Sequence, residues 1–171
     1  MTAQIHAFPG AGTSVSEQPA GARFSLRLRA EAIGAAGAAL GLELPQKIGR
    51  ITAGSGRRAL MLGPDEWLLE GPAGDRPALP ADLPGALVDI SDREIAWRIE
   101  GPRAMELLSI GIARDLRRIA PGCGCRTAFD SAQAVLVREA EDAFTLSVWR
   151  SFAPHVAELL AIGQRELAAG L

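Results

Sequence analysis

The ten residues LGPDEWLLEG, Leu62 to Gly71, decide how the rest of the chain is read. Gly63-Pro64-Asp65 is a turn signal: proline presets the backbone angle that a turn needs, and aspartate hydrogen-bonds nearby backbone. RRALML, residues 57–62, runs into this turn and EWLLEG, residues 66–71, leaves it, so the stretch reads as a hairpin. The acidic pair Asp65 and Glu66 beside Trp67 leaves two functions open. It is either the mouth of an active site or a turn whose tryptophan is core.

Outward from the hairpin, the preceding segments supply partners for it. ARFSLRLRA, Ala22 to Ala30, alternates, with Phe24, Leu26 and Leu28 on one side and Arg27 and Arg29 on the other. That is a half-buried strand. EAIGAAGAALG follows with Ile33, Ala36, Gly37 and Leu40 on one helical face and Gly41 as its stop. KIGRITA, residues 47–53, is a further short strand.

The second half repeats this order. ALVDIS is an additional strand, SDR turns the chain, and EIAWRIEG alternates with Ile95, Trp97 and Ile99 on one face. GPRAMELLSIG reads as a short helix with Pro102 at its first position, Gly111 as the stop, and Ala104, Met105, Leu107 and Leu108 as the buried stripe. CRTAFD, AQAVLVRE and AFTLSVW then follow as strands. The chain closes on an amphipathic helix in SFAPHVAELLAIGQREL, with Ser151 as N-cap, Pro154 in its first turn, and Val156, Leu159, Leu160, Gly163 and Leu167 facing inward. Strand, helix and hairpin thus occur at 24–70 and again at 94–149. The expected class is α+β: two duplicated strand-helix-hairpin units with mixed or antiparallel sheets covered by helices. Neither half buries its apolar face alone, so the two pair their sheets or exchange strands. The expected organisation is an irregular N-terminal arm over 1–22, a first half over 23–85 and a second over 86–171.

Composition excludes several classes of function. A net charge of -2 argues against nucleic acid and anionic membranes as partners, since both need a concentrated positive field. No apolar run approaches the length of a membrane span, and the N-terminus lacks the basic start and apolar block of a secretory signal, so the cytoplasm is the expected location. Cys123 and Cys125 are the two cysteines and His6 and His155 the two histidines. A disulfide between residues so close is strained, and a zinc site wants four ligands, so no metal is expected here.

The search for chemistry finds little. ITAGSGRRAL lacks the Gly-Lys-Ser/Thr ending of a phosphate loop and lies between strands, so it reads as a hairpin turn. GAAGAALG sits inside a helix rather than after a strand. Ser151 and His155, four apart on one helix, read as a cap beside a surface histidine rather than a nucleophile and its base. Asp65 with Glu66, and Asp89 with Asp92 beside Arg93, read as turn-forming acids. The basic cluster Arg114, Arg117, Arg118 and Arg126 brackets IAPGCGC and reads as solvated surface or a partner interface.

Taken in order, LRLRAE, LGLELP, LGPDEWLLEG, VDISDR, IEGPRAMELLSIGIARDL, APGCGCRTAF and VWRSFAPHVAELL resemble the gamma subunits of bacterial heterotetrameric sarcosine oxidases. The resemblance covers Arg27 to Leu160, and its most specific parts are LGPDEWLL and WRSFAPHV. It implies a fold similar to the folate-binding domains of the glycine-cleavage T-protein, themselves duplicated α+β units. It implies a complex that demethylates sarcosine oxidatively to glycine, releases hydrogen peroxide, and in the presence of tetrahydrofolate yields 5,10-methylenetetrahydrofolate. In such complexes FAD, FMN, NAD and the folate site belong to the alpha and beta subunits, and zinc to the delta subunit. No catalytic, cofactor-binding or metal-binding residue carries over to this chain, which is then a structural subunit beside alpha, beta and delta. Trp67, Trp149, Arg114, Arg117 and Arg118 are the candidates for subunit contact, because aromatic residues and arginine are enriched at interface centres. Trp97, in its cleanly alternating strand, reads as core. Two other readings compete: a stand-alone folate-binding module using Asp65 or Asp89 to hold the pterin, and a redox or metal protein built on Cys123-Gly124-Cys125.

Overall fold

The computed structural model describes residue 8 and residues 10–171. In chain order its strands are β1 (Ser14–Glu17), β2 (Ala22–Leu28), β3 (Ile51–Gly54), β4 (Arg57–Gly63), β5 (Glu66–Gly71) and β6 (Gly85–Asp89). Then come β7 (Glu94–Glu100), β8 (Cys123–Phe129), β9 (Ala132–Ala140) and β10 (Ala143–Trp149). The helices are α1 (Ile33–Leu40), α2 (Ala104–Ser109) and α3 (Ala153–Ala169).

The chain divides into two compact units. One is contiguous, Ala20–Asp92; the other joins Arg93–Leu171 to the N-terminal segment ending at Pro19. Each holds a five-stranded antiparallel sheet, in the order β3-β4-β5-β2-β6 in the first and β1-β7-β10-β9-β8 in the second. Laid side by side, the orders match: β2, β3, β4 and β5 take the places of β7, β8, β9 and β10. The outer strands cross over. β1, which precedes β2 in the chain, pairs with β7, and β6, which precedes β7, pairs with β2. Each repeat therefore lends its leading strand to the other repeat's sheet, the strand exchange that two incomplete halves invite.

This exchange corrects two boundaries. Residues 14–17 are not part of an irregular arm, because Ser14, Val15, Ser16 and Glu17 are in register with Glu100, Ile99, Arg98 and Trp97. ALVDIS belongs to the first unit and not the second, because Ser25, Leu26 and Arg27 are in register with Val88, Leu87 and Ala86.

The cores follow the alternation. In the first unit Phe24, Leu26 and Leu28 of β2, Trp67 and Leu69 of β5, and Ala36 and Leu40 of α1 share one cluster. In the second, Trp97 and Ile99 of β7, Phe144, Leu146 and Val148 of β10, and Val156 and Leu160 of α3 do the same. Burying each leucine-sized side chain stabilises its unit by about 1.5–3 kcal/mol. The ladders make the repeat visible at the aromatic positions: Phe24 opposite Leu69 in one unit corresponds to Trp97 opposite Leu146 in the other. α1 ends as expected, on a left-handed Gly41. The turn in ITAGSGRRAL is a two-residue hairpin, Ser55-Gly56, with both residues at positive φ.

Three helix details differ from expectation. α2 begins at Ala104, with Pro102 left in the turn before it. Gly111 acts by packing: a Cβ there would stand 2.7–2.8 Å from three carbons of the Phe129 ring. Ser151 does not cap α3. The chain is already turning at Trp149 and Arg150, whose carbonyls accept from the N–H groups of Phe152 and Ala153, and Phe152 takes the cap position without a side-chain bond.

Candidate functional site

The opening hairpin resolves into scaffold. Trp67 is fully buried and its indole N–H donates to the Pro45 carbonyl at 2.8 Å. It therefore anchors the core of the first unit and does not face a partner, which corrects its place among the interface candidates. Asp65 and Glu66 both go to one arginine: Arg27 Nη1 lies 3.0 Å from Asp65 Oδ1, and its Nη2 lies 3.0 Å from Glu66 Oε2. The Asp65 carbonyl also accepts from Leu28 N–H. The acidic pair thus ties the β4–β5 turn to the neighbouring strand β2. On the same face Glu70 lies between Arg23, at 3.1 Å, and Arg58, at 2.5 Å.

The other acids are similarly engaged. Asp89 accepts from the backbone N–H of Ser91 at 2.9 Å and from its hydroxyl at 2.6 Å, and these two bonds hold its carboxyl below the usual range. Asp75, which sequence reasoning passed over, forms a two-pronged pair with Arg57 at 2.6 and 2.7 Å. Arg57 also donates to the Leu40 carbonyl at the end of α1. The hydrogen-bonded guanidinium pulls the Asp75 carboxyl down and overcomes the opposing effect of burial.

His155 does not meet Ser151. Its Nε2 lies 2.9 Å from Asp130 Oδ2, both side chains are about half exposed, and that bond holds the Asp130 carboxyl low. The imidazole is thus engaged by a carboxylate on the turn between β8 and β9. His6 lies outside the described residues.

Cys123 and Cys125 lie two apart on the edge strand β8 and so share a face, the one turned to the core: Cys125 is buried in the cluster and Cys123 packs against it. Burial pushes the Cys125 thiol up, while the nearby Arg114 guanidinium partly offsets this. Among the described residues no group of three His, Cys, Asp or Glu side chains is placed to hold a metal ion.

The arginine candidates fare differently. Arg114 and Arg117 are brought to one cleft of ≈ 510 Å³ between α2 and the segment 113–117. Met105, expected in the buried stripe of α2, is only partly buried and lines this cleft instead. Arg117 grips Asp115 through Nε at 2.9 Å and Nη2 at 3.2 Å, while Arg118 follows it in the same turn, exposed. Trp149 is half-buried, with the Arg93 guanidinium 4.6 Å from its ring centroid. Sequence reasoning found the arginines but not the cleft; the signal was the apolar Met105, Ala113 and Leu116 spaced among them.

Comparison with known proteins accounts for this architecture. The model of the "Sarcosine oxidase, gamma subunit family" matches residues 29–163. The chain is 31% identical over 142 residues to the sarcosine oxidase subunit gamma of Corynebacterium sp. strain U-96, covering 77% of this chain and 68% of that protein. It is 30% identical over 140 residues to the subunit gamma of an Arthrobacter species, covering 77% and 69%. Among solved structures it is similar to a chain of the heterotetrameric sarcosine oxidase of Corynebacterium sp. U-96, with a TM-score of 0.84, 25% identity, and coverage of 97% of this chain and 89% of that one. The fold alone is shared with the glycine cleavage system aminomethyltransferase T of Bartonella henselae, with a TM-score of 0.67 at 14% identity over 87% of this chain and 45% of that one. The chain belongs to the sarcosine oxidase gamma subunit family.

Proposed function

We propose that this chain is the non-catalytic gamma subunit of a heterotetrameric sarcosine oxidase, assembled in the cytoplasm with alpha, beta and delta subunits. The observation that carries the reading is family membership over residues 29–163, joined to a fold held in common with a chain of the heterotetrameric enzyme over nearly the whole length. The complex demethylates sarcosine oxidatively to glycine, reduces oxygen to hydrogen peroxide, and passes the one-carbon unit to tetrahydrofolate when that is present. FAD, FMN, NAD, zinc and the folate belong to the other subunits.

The geometry favours a structural role for this chain within that assembly. A general acid or base needs a perturbed pKa and a path to substrate. Here the acids of the opening hairpin are occupied by Arg27, Asp89 by Ser91, and Asp75 by Arg57. His155, in the C-terminal unit, is bonded to the half-exposed Asp130 carboxylate.

The test is capture of the tagged chain from its native host, followed by identification of the co-captured proteins and assay of sarcosine-dependent peroxide release. Co-capture with a coloured, active flavoprotein is the expected result. A chain that elutes alone and colourless, and that binds a reduced folate in calorimetric titration, would instead favour the stand-alone folate module.

A further inference from the structure

The cleft between α2 and the segment 113–117 joins an apolar floor to an excess of positive charge. Its floor is apolar, made by Met105, Ala113 and Leu116. Arg114 and Arg117 line it beside the carboxylates Glu106 and Asp115, and Arg103 and Arg118 flank these residues in the chain. Both carboxylates are already spoken for: Arg103 holds Glu106 at 2.7 Å through two bonds, and Arg117 holds Asp115. Arg114 and Arg118 are both exposed, and Arg118 adds to the field that Arg117 exerts on the Asp115 carboxyl. Residues 103–118 therefore carry four arginines against two carboxylates, a formal excess of two positive charges on a chain whose net charge is -2.

An apolar floor edged by an excess of guanidinium groups is complementary to one kind of partner. We propose that this cleft docks an acidic polypeptide segment of a partner subunit, with an apolar side chain seated on Met105 and Leu116 and flanking carboxylates reaching Arg114 and Arg118. Arginine suits this role because its planar fork meets a carboxylate through two parallel bonds. The inference rests on the reading that the chain is a subunit of a larger complex.

Two experiments test it together. In the first, the tagged chain carrying both Arg114→Glu and Arg118→Glu is used to capture partner subunits from the host, beside wild type, a milder Arg114→Gln, Arg118→Gln variant, and Arg165→Glu as a remote surface control. The expected result is capture reduced about tenfold or more by the double reversal, less by the glutamine pair, and unchanged by the control, with unfolding midpoints equal throughout. In the second, a photo-crosslinking residue replaces Ser109 at the exposed edge of the cleft, and the crosslinked peptide is sequenced; it should belong to a partner subunit and be rich in Asp and Glu. Capture that survives the double reversal, or a crosslink to nucleic acid or to a peptide without carboxylates, overturns the docking site while leaving the subunit reading intact. If wild type captures no subunit at all, the subunit reading falls, and the docking site falls with it.

Discussion

Val15 offers the most direct test of the strand exchange. It is the only apolar residue of β1, 8% exposed, opposite Ile99 and packed into the same cluster as Trp97. Val15→Ala removes two methyl groups from that cluster. At about 0.8 kcal/mol for each buried carbon, the transfer loss is roughly 1.6 kcal/mol, and incomplete collapse of the cavity adds to it. For a chain of this size each kcal/mol moves the melting temperature by about 2–4 °C, so the expected fall is roughly 3–6 °C. Ser16→Ala, on the exposed side of the same strand, should stay within about 0.5 kcal/mol of wild type. Both are read by circular dichroism during thermal unfolding of the purified chain. If the units melt separately, the fall belongs to the transition of the unit formed by 93–171 and the N-terminal segment. Equal melting temperatures for the two variants would mean that β1 is not part of the sheet, and the exchange would be refuted.

Three further outcomes follow from the same packing. Trp67→Phe removes the donor to the buried Pro45 carbonyl and leaves a gap beside Met61, and should cost about 2–3 kcal/mol in a denaturant titration. Gly111→Ala drives a methyl against the fully buried Phe129 ring and should cost about 1–3 kcal/mol by the same assay, whereas Gly122→Ala, at a positive φ but with open space around it, loses only through backbone strain. Arg57 lowers the Asp75 carboxyl in the folded state, so the unfolded chain binds the proton more readily. That contribution is present above the unfolded carboxylate pKa of about 3.9 and is lost as pH falls through the lower folded value. Asp75→Asn should therefore be less stable than wild type at neutral pH, and the gap should narrow in melts run progressively below pH 4. A gap that does not change with pH would show that the ion pair is not the cause.

Much of the fold was legible because the strands alternate so regularly. Phe24, Leu26 and Leu28, or Phe144, Leu146 and Val148, announce a strand and its buried face at once. β1 was not legible: SVSE carries one apolar residue in four, and its partner β7 lies far along the chain, where no local pattern records the pairing. For the same reason β6 could be recognised as a strand but not assigned to its sheet. Ser151 has the chemistry of a cap, yet the turn at Trp149–Arg150 settles where α3 starts. Trp67 carries an aromatic signal that suits core and interface equally, and only the Pro45 carbonyl waiting for its indole N–H distinguishes them. The arginines at 114, 117 and 118 were visible in the sequence, but the cleft was not, because it depends on α2 packing beside the segment that follows it.

The central claim, membership in a sarcosine-oxidising complex, is tested most directly by native mass spectrometry of the sarcosine-oxidising fraction purified from the host without any tag. The account predicts an active assembly that, on gentle dissociation, releases a chain containing this sequence together with larger flavin-bearing subunits. An active fraction of defined composition that contains no such chain would contradict it.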